Sequence, residues 1–143
     1  MSGPFIASLR AELPEGWFAK ESITFLAPDG QGNVIASTEP LDPSITGTRY
    51  AEVQGELLRR EFPHYQELWF GPMLMLGGHS GYRRDFSWAP PDGVRVRQVQ
   101  MYAVIDGRGI TCTATAPENQ FDRMAEVFSG IQASLECDHH RRA

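Results

Sequence analysis

The stretch from 94 to 135 constrains this chain more than any other part of it. Two apolar-rich runs, 94–105 and 109–115, are joined by Asp106-Gly107. The second leads into a helical stripe of Phe121, Met124, Val127, Phe128, Ile131 and Leu135. Asp-Gly between two such runs marks a two-residue hairpin, because both turn positions need positive φ. Along 94–105 the alternation is apolar on both sides: Val94, Val96, Tyr102 and Val104 on one, Val99, Met101, Ala103 and Ile105 on the other. Such a strand is interior and needs cover on both faces. The pattern predicts an antiparallel sheet with helices against it.

The remaining elements fit that plan. Alternation of Phe5, Ala7, Leu9 and Ala11 predicts an opening strand, ended by Leu13-Pro14-Glu15-Gly16-Trp17. Strands follow at 18–26, with Ile23 and Phe25 on one face, and at 33–39, with Val34 and Ile35; Pro28-Asp29-Gly30 turns between them. Over 48–62 the period becomes helical, with Tyr50, Val53, Leu57 and Leu58 on one stripe, Thr48 as the N-cap and Pro63 just beyond the end. Strands are expected at 64–70, stopped by Gly71-Pro72, and at 73–76 as a short buried run. Another, 82–88, is joined to 94–105 through Ala89-Pro90-Pro91-Asp92-Gly93. Thr115-Ala116-Pro117-Glu118 reads as a capping box opening the helix of 118–135, which Gly130 weakens. Helices near 50–62 and 118–135 cover only part of the sheet, leaving surface to receive a ligand.

Composition excludes several classes of function. The 143 residues, 41% hydrophobic and 22% charged, make a single domain over 1–136 with a polar tail at 137–143. With 13 basic and 18 acidic residues the net charge is −5, which argues against a general nucleic-acid binder. MSGPFIASLRAEL has no basic n-region and no long apolar core, and no run is long enough for a membrane span. The expectation is a cytoplasmic protein that does not insert stably into membranes. Cys112, in a strand, and Cys137, in the tail, make a poor disulfide pair and read as idle thiols.

Catalytic chemistry is sparse. Gly78-His79-Ser80-Gly81-Tyr82 approaches a nucleophile elbow, but Tyr82 stands where the second glycine belongs and a strand follows instead of a helix. A turn is the better reading, and a hydrolase centred on Ser80 is the weakest of three functional hypotheses. Asp138, His139 and His140 beside Cys137 lack the second ligand pair a closed metal site needs, so no metal is expected. Arg83, Arg84, Arg95 and Arg97 flank the PPDG turn, either as an anion site or as a solvated sheet edge. Gln98 and Gln100 interrupt the apolar face of Val96 and Tyr102, and Gln54 lies in the first helix. Such amides either pair within the protein or bond to a bound segment. Met73 and Met75 suit either core filling or adaptable binding.

The order of LPEGW, VIAS, YAEVQGELLRREFPHY, RQVQMYAVIDGRGITCTATAP and FDRMAEVFSGIQASLE over residues 5–136 resembles the bacterial DcrB-like family with its PsbP/Mog-type fold. Within that family it is similar to the cytoplasmic chaperones of type VI secretion effectors. The resemblance implies an α+β fold, an antiparallel sheet flanked by helices as an α-β-α sandwich, with no enzymatic activity and no cofactor. It further implies homodimers that shield transmembrane segments of an effector. Carried onto this sequence, the apolar contacts are Ile23, Phe25 and Ile35, and the polar ones Gln54 and Gln100, with Gln98 competing for the last place. A module for lipid or another small hydrophobic ligand is the alternative on the same scaffold.

Overall fold

The computed structural model describes residues 11–74 and 78–135. In chain order the elements are β1 (Glu21–Leu26), β2 (Asn33–Pro40), α1 (Gly47–Glu61), β3 (Gln66–Leu74), β4 (Ser80–Trp88), β5 (Val96–Ile105), β6 (Arg108–Pro117) and α2 (Glu118–Ala133). The six strands form one sheet in the order β1-β2-β6-β5-β4-β3, every neighbouring pair antiparallel. A hairpin, β1-β2, is followed by α1, which carries the chain to the far edge. The meander β3-β4-β5-β6 then brings it back beside β2. The expected α+β class, a sheet flanked by helices, is the observed one.

The Asp106-Gly107 hairpin forms as its sequence requires, with φ of 50° and 76° at its two residues. It sets the register that pairs Met101 with Cys112 and Val99 with Ala114. Because side chains alternate, these residues share a face with Val34 and Ala36 of β2 and with Ile23 and Phe25 of β1. That face holds the apolar core, closed by Phe121 and Phe128 of α2. α1 packs on the opposite face, against β4 and β5, whereas α2 lies over β5 and β6. Each face therefore has one helix across part of its width.

Several local expectations are corrected. The opening strand at 5–11 falls almost wholly outside the described residues, and the second strand begins at Glu21. The N-cap of α1 is Thr46, not Thr48: its side chain accepts from the Arg49 amide at 3.0 Å. Thr48 Oγ1 instead bonds the Tyr82 hydroxyl at 2.6 Å. The buried residues of α1 are Tyr50, Ala51, Gly55 and Leu58, and Leu57 is 37% exposed. Gly71-Pro72 does not end a strand: β3 runs through it. Since β3 is an edge strand, the N–H that Pro72 lacks can fall on the unpaired side. α2 has Pro117 as N-cap and no side-chain cap bond. The Thr115 hydroxyl is taken by Gln98, as described below.

Candidate functional site

On the α1 side of the sheet, register lines up three rows across β1, β2, β6 and β5: Ser22–Ser37–Thr111–Tyr102, Thr24–Ile35–Thr113–Gln100 and Leu26–Asn33–Thr115–Gln98. α1 sits over the β4–β5 end of these rows. Apart from the Tyr50 ring of α1, which lies against Gly109 of β6, neither helix packs extensively over the β1–β2–β6 end. Its floor is short: hydroxyl side chains and Asn33, interrupted by Ile35, 37% exposed, and Leu26, 76% exposed. The strict alternation of ITCTATA explains this, since Ile110, Cys112, Ala114 and Ala116 turn to the α2 core and Thr111, Thr113 and Thr115 turn the other way.

The two glutamines are fixed within this surface. Gln98 Oε1 accepts from the Trp88 indole N–H at 2.8 Å, and its Nε2 donates to Thr115 Oγ1 at 2.8 Å. Gln100 Oε1 accepts from the Tyr102 hydroxyl, and its Nε2 donates to Thr113 Oγ1 at 2.9 Å. An amide nitrogen carries two donors. Each glutamine thus retains one N–H without a partner among the described residues, on a side chain already held in place at both ends.

Behind Tyr102 lies a buried polar cluster. Arg84, 3% exposed, donates to Tyr102 Oη at 3.0 Å, to the Ala51 carbonyl at 3.1 Å and to Glu67 Oε1 at 2.8 Å. Its guanidinium also lies 4.2 Å from the Phe70 ring centroid. Gly55 permits this: a Cβ there would stand 2.5 Å from Arg84 Nη2. Burial pushes the Tyr102 hydroxyl up to about 12, so it stays protonated and donates to Gln100. A continuous hydrogen-bonded path therefore joins the backbone of α1 to the Thr113 hydroxyl on the open surface.

The expected contact residues separate into two groups. Gln98, Gln100 and Ile35 share the α1 side of the sheet, and Gln54 lies on α1, partly buried between Tyr50 and Leu58 in the helical repeat. Ile23 and Phe25 lie on the opposite face, partly buried against the apolar core. Phe25 also lines a cleft of about 390 Å³ between the β1–β2 turn and α2, with Leu26, Val34, Met124, Val127, Phe128 and Ile131 among its walls. The hydroxyl rows, absent from the expected set, were detectable as the polar half of the alternation in β6.

The four arginines do not act as one cluster. Arg84 is buried under α1, and Arg97 makes a two-point bond to Asp85 at 3.0 and 2.8 Å. Arg95 donates to the His64 carbonyl and to Ser87 Oγ. Ser80 is exposed at the first position of β4, so the GHSGY segment is a turn into a strand. Cys112 is buried and its thiol is pushed up to about 12 by burial, which makes it inert. Cys137, Asp138, His139 and His140 lie outside the described residues; among those described, no group of three or more metal-ligating side chains occurs. No helix among them is long and apolar enough to cross a membrane.

An antiparallel sheet with one helix partly covering each face, and no assembled catalytic group among the described residues, is the PsbP-like α+β fold. The chain belongs to the DcrB family, whose model matches residues 10–133. Among solved structures it is similar to PA94 from Pseudomonas aeruginosa, a protein of unknown function, with a TM-score of 0.76 at 15% identity over 90% of both chains. It is also similar to LpqN of Mycobacterium tuberculosis, described as involved in cell envelope biogenesis (TM-score 0.58, 16% identity, 76% of this chain and 64% of that one). A third is the cyanobacterial PsbP, CyanoP, from Synechocystis sp. PCC 6803 (TM-score 0.58, 12% identity, 88% and 84%). No curated protein matches the chain.

Proposed function

We propose that this chain is a non-enzymatic binding protein that shields a hydrophobic polypeptide segment on the uncovered β1–β2–β6 part of its α1-side sheet face. The client implied by the family resemblance is a transmembrane segment of a type VI secretion effector, held in the cytoplasm before export. The observation that carries this reading is one row in which Thr24, Ile35 and Thr113 lie on β1, β2 and β6 outside the footprint of α1, and which ends at Gln100 on β5, where α1 begins to cover the sheet. A transmembrane helix out of lipid needs apolar contact for most of its surface and hydrogen-bond partners for its small polar groups. Ile35, Leu26 and the threonine methyls offer the first; the hydroxyls and the spare amide N–H of each glutamine offer the second. Because Gln98 and Gln100 are already oriented, little side-chain entropy is lost when a client arrives.

One sheet face with one helical wall covers one side of a client helix. The reading therefore includes a homodimer, whose second copy supplies the other side. Sedimentation of the protein with and without client tests this part, and a strictly monomeric complex removes it. The main test is co-expression with a transmembrane effector segment, which is expected to yield a soluble complex. Ile35→Asp should send the client to the insoluble fraction while the protein itself still unfolds cooperatively at its usual temperature. Client solubility unaffected by Ile35→Asp and by Gln100→Ala sinks the named face.

The cleft between the β1–β2 turn and α2 favours a second reading, a small apolar ligand held against Phe25, Met124 and Ile131. Native mass spectrometry of the purified protein separates the two. A co-purifying lipid whose occupancy falls in Val127→Asp supports the cleft, and a consistently empty protein removes it.

A further inference from the structure

We infer that the opposite, α2-facing side carries a carboxylate-binding recess at β3 and β4, independent of the proposed client surface. α2 lies over β5 and β6. Beyond it, Trp69, Arg83 and Asp85 line a recess of about 250 Å³. Register pairs Trp69 with Asp85 and Gly71 with Arg83, so all four residues share this face. Gly71 lets the Trp69 indole lie down along the strand: a Cβ on it would stand 2.6 Å from the ring. Trp69 is nonetheless 49% exposed, an aromatic residue beside the recess that no described residue fully covers.

The charges within the recess are unequal. Asp85 is neutralised by the two-point bond from Arg97, at 3.0 and 2.8 Å, and Arg97 is further supported by Asp122 at 3.6 Å. Arg83 has no such counterpart. Its Nε is buried and has no hydrogen-bond partner, and Arg83 forms no ion pair among the described residues. A buried donor left unmade is costly, and a guanidinium fork is shaped for a planar oxyanion. The site is therefore a half-built ion pair next to an aromatic plane. Its complement is a carboxylate carried beside a flat or apolar group, the carboxylate on Arg83 and the group on Trp69. With Asp85 and Arg97 paired, Arg83 supplies a single unmatched positive charge, which suits a monoanion and leaves the second charge of a phosphate dianion uncompensated. A free aromatic or aliphatic acid offers this chemistry, and so does the C-terminal residue of a polypeptide.

The test is an amide-resolved NMR titration of the full chain with sodium benzoate, and with two short peptides ending in Phe, one with a free C-terminus and one amidated. Benzoate or the free-ended peptide should give saturable shifts at Gly71 and Arg83, and the amidated peptide none. Saturation by benzoate alone assigns a small acid as the natural source; saturation by the free-ended peptide assigns a chain terminus. Arg83→Gln should weaken binding about tenfold or more without lowering the thermal midpoint, because no native partner loses its bond. Trp69→Leu, at an exposed edge position, should weaken binding severalfold and serves if Arg83→Gln does not fold. No saturable shift with either acid overturns the site. Equal binding of the two peptides, or undiminished binding in both variants, overturns it as well.

Discussion

Beneath α2 the sheet presents Val34, Ala36, Val99, Met101, Cys112 and Ala114, and the helix answers with Phe121 and Phe128; beneath α1 it presents Arg84, Tyr102 and Phe86, and the helix answers with Tyr50, Ala51 and a glycine. The first interface is held mainly by apolar volume, which is non-directional and tolerant of exchange, with one buried amide, Gln132 of α2, donating to the Val99 and Cys112 carbonyls at 3.0 and 3.1 Å. The second is held by a buried cation with three hydrogen-bond partners, which fixes α1 in one position. On the side proposed to hold a client the helix is tied through a buried charge, and its bonds continue into Gln100 and Thr113 on the open surface, whereas the Gln132 bonds of α2 end on the sheet backbone.

The strongest way to break this comparison is to delete one anchor on each side. Phe128→Ala should cost about 3–5 kcal/mol in urea unfolding, through lost burial and the cavity left behind. Phe128→Leu should recover most of that, since volume is what the site needs. Arg84→Ala should cost about 3 kcal/mol by stranding Tyr102, Glu67 and the Ala51 carbonyl. Arg84→Lys should recover little, because an ammonium cannot reproduce the guanidinium fork. Full rescue by Lys would show that the α1 interface needs only charge and volume, and the contrast would fail.

Alkali probes the same contrast without a mutation. Burial raises the Tyr102 hydroxyl from 10.0 to about 12, and Tyr50, within α1, and Tyr65, just beyond its C-terminal end, are raised for the same first reason. A folded-state value above the unfolded one means that the neutral form is favoured by folding. Its contribution is complete below pH 10 and is lost as pH rises from 10 towards 12. Phenolate absorbance should therefore lag free tyrosine and then rise together with loss of near-ultraviolet dichroism. Titration of Tyr102 around pH 10 in protein that remains folded contradicts the buried cluster.

Much of the fold was legible because the decisive signals were local. Asp106-Gly107 and the two-sided apolar pattern of 94–105 specify the central hairpin, and the stripe from Phe121 to Leu135 specifies α2. The site was less legible, because facing depends on register and not on alternation alone. Ile23, Phe25 and Ile35 look alike in sequence, but the β1–β2 turn pairs Ile23 with Ala36 and Thr24 with Ile35, which puts the isoleucines on opposite faces. The strand through Gly71-Pro72 was hidden for a related reason: proline interrupts a strand only where its N–H is needed, and edge position is not written locally. The burial of Arg84 was also out of sight, since the glycine that makes room for it is 29 positions away, a separation (84 less 55) that only the crossover of α1 closes.

The two helical glycines give the smallest and sharpest test. Replacing a mid-helix glycine by alanine should stabilise by about 1 kcal/mol when the site is open, because the backbone loses less entropy. At Gly130 of α2 a new Cβ meets nothing within 4 Å, so Gly130→Ala should show that full gain in chemical denaturation. At Gly55 of α1 the same methyl would stand 2.5 Å from Nη2 and 2.6 Å from Cζ of Arg84. That guanidinium is held by Glu67, Tyr102 and the Ala51 carbonyl, so moving it aside costs hydrogen bonds. Gly55→Ala should therefore be destabilising by about 1–3 kcal/mol despite its better helix propensity. In Gly55→Ala combined with Arg84→Ala the penalty for the methyl should vanish, and the double-mutant cycle should return a coupling of about 1 kcal/mol or more. Strict additivity would mean that Arg84 does not hold α1 against the sheet, and the path from that helix to Gln100 would lose its anchor.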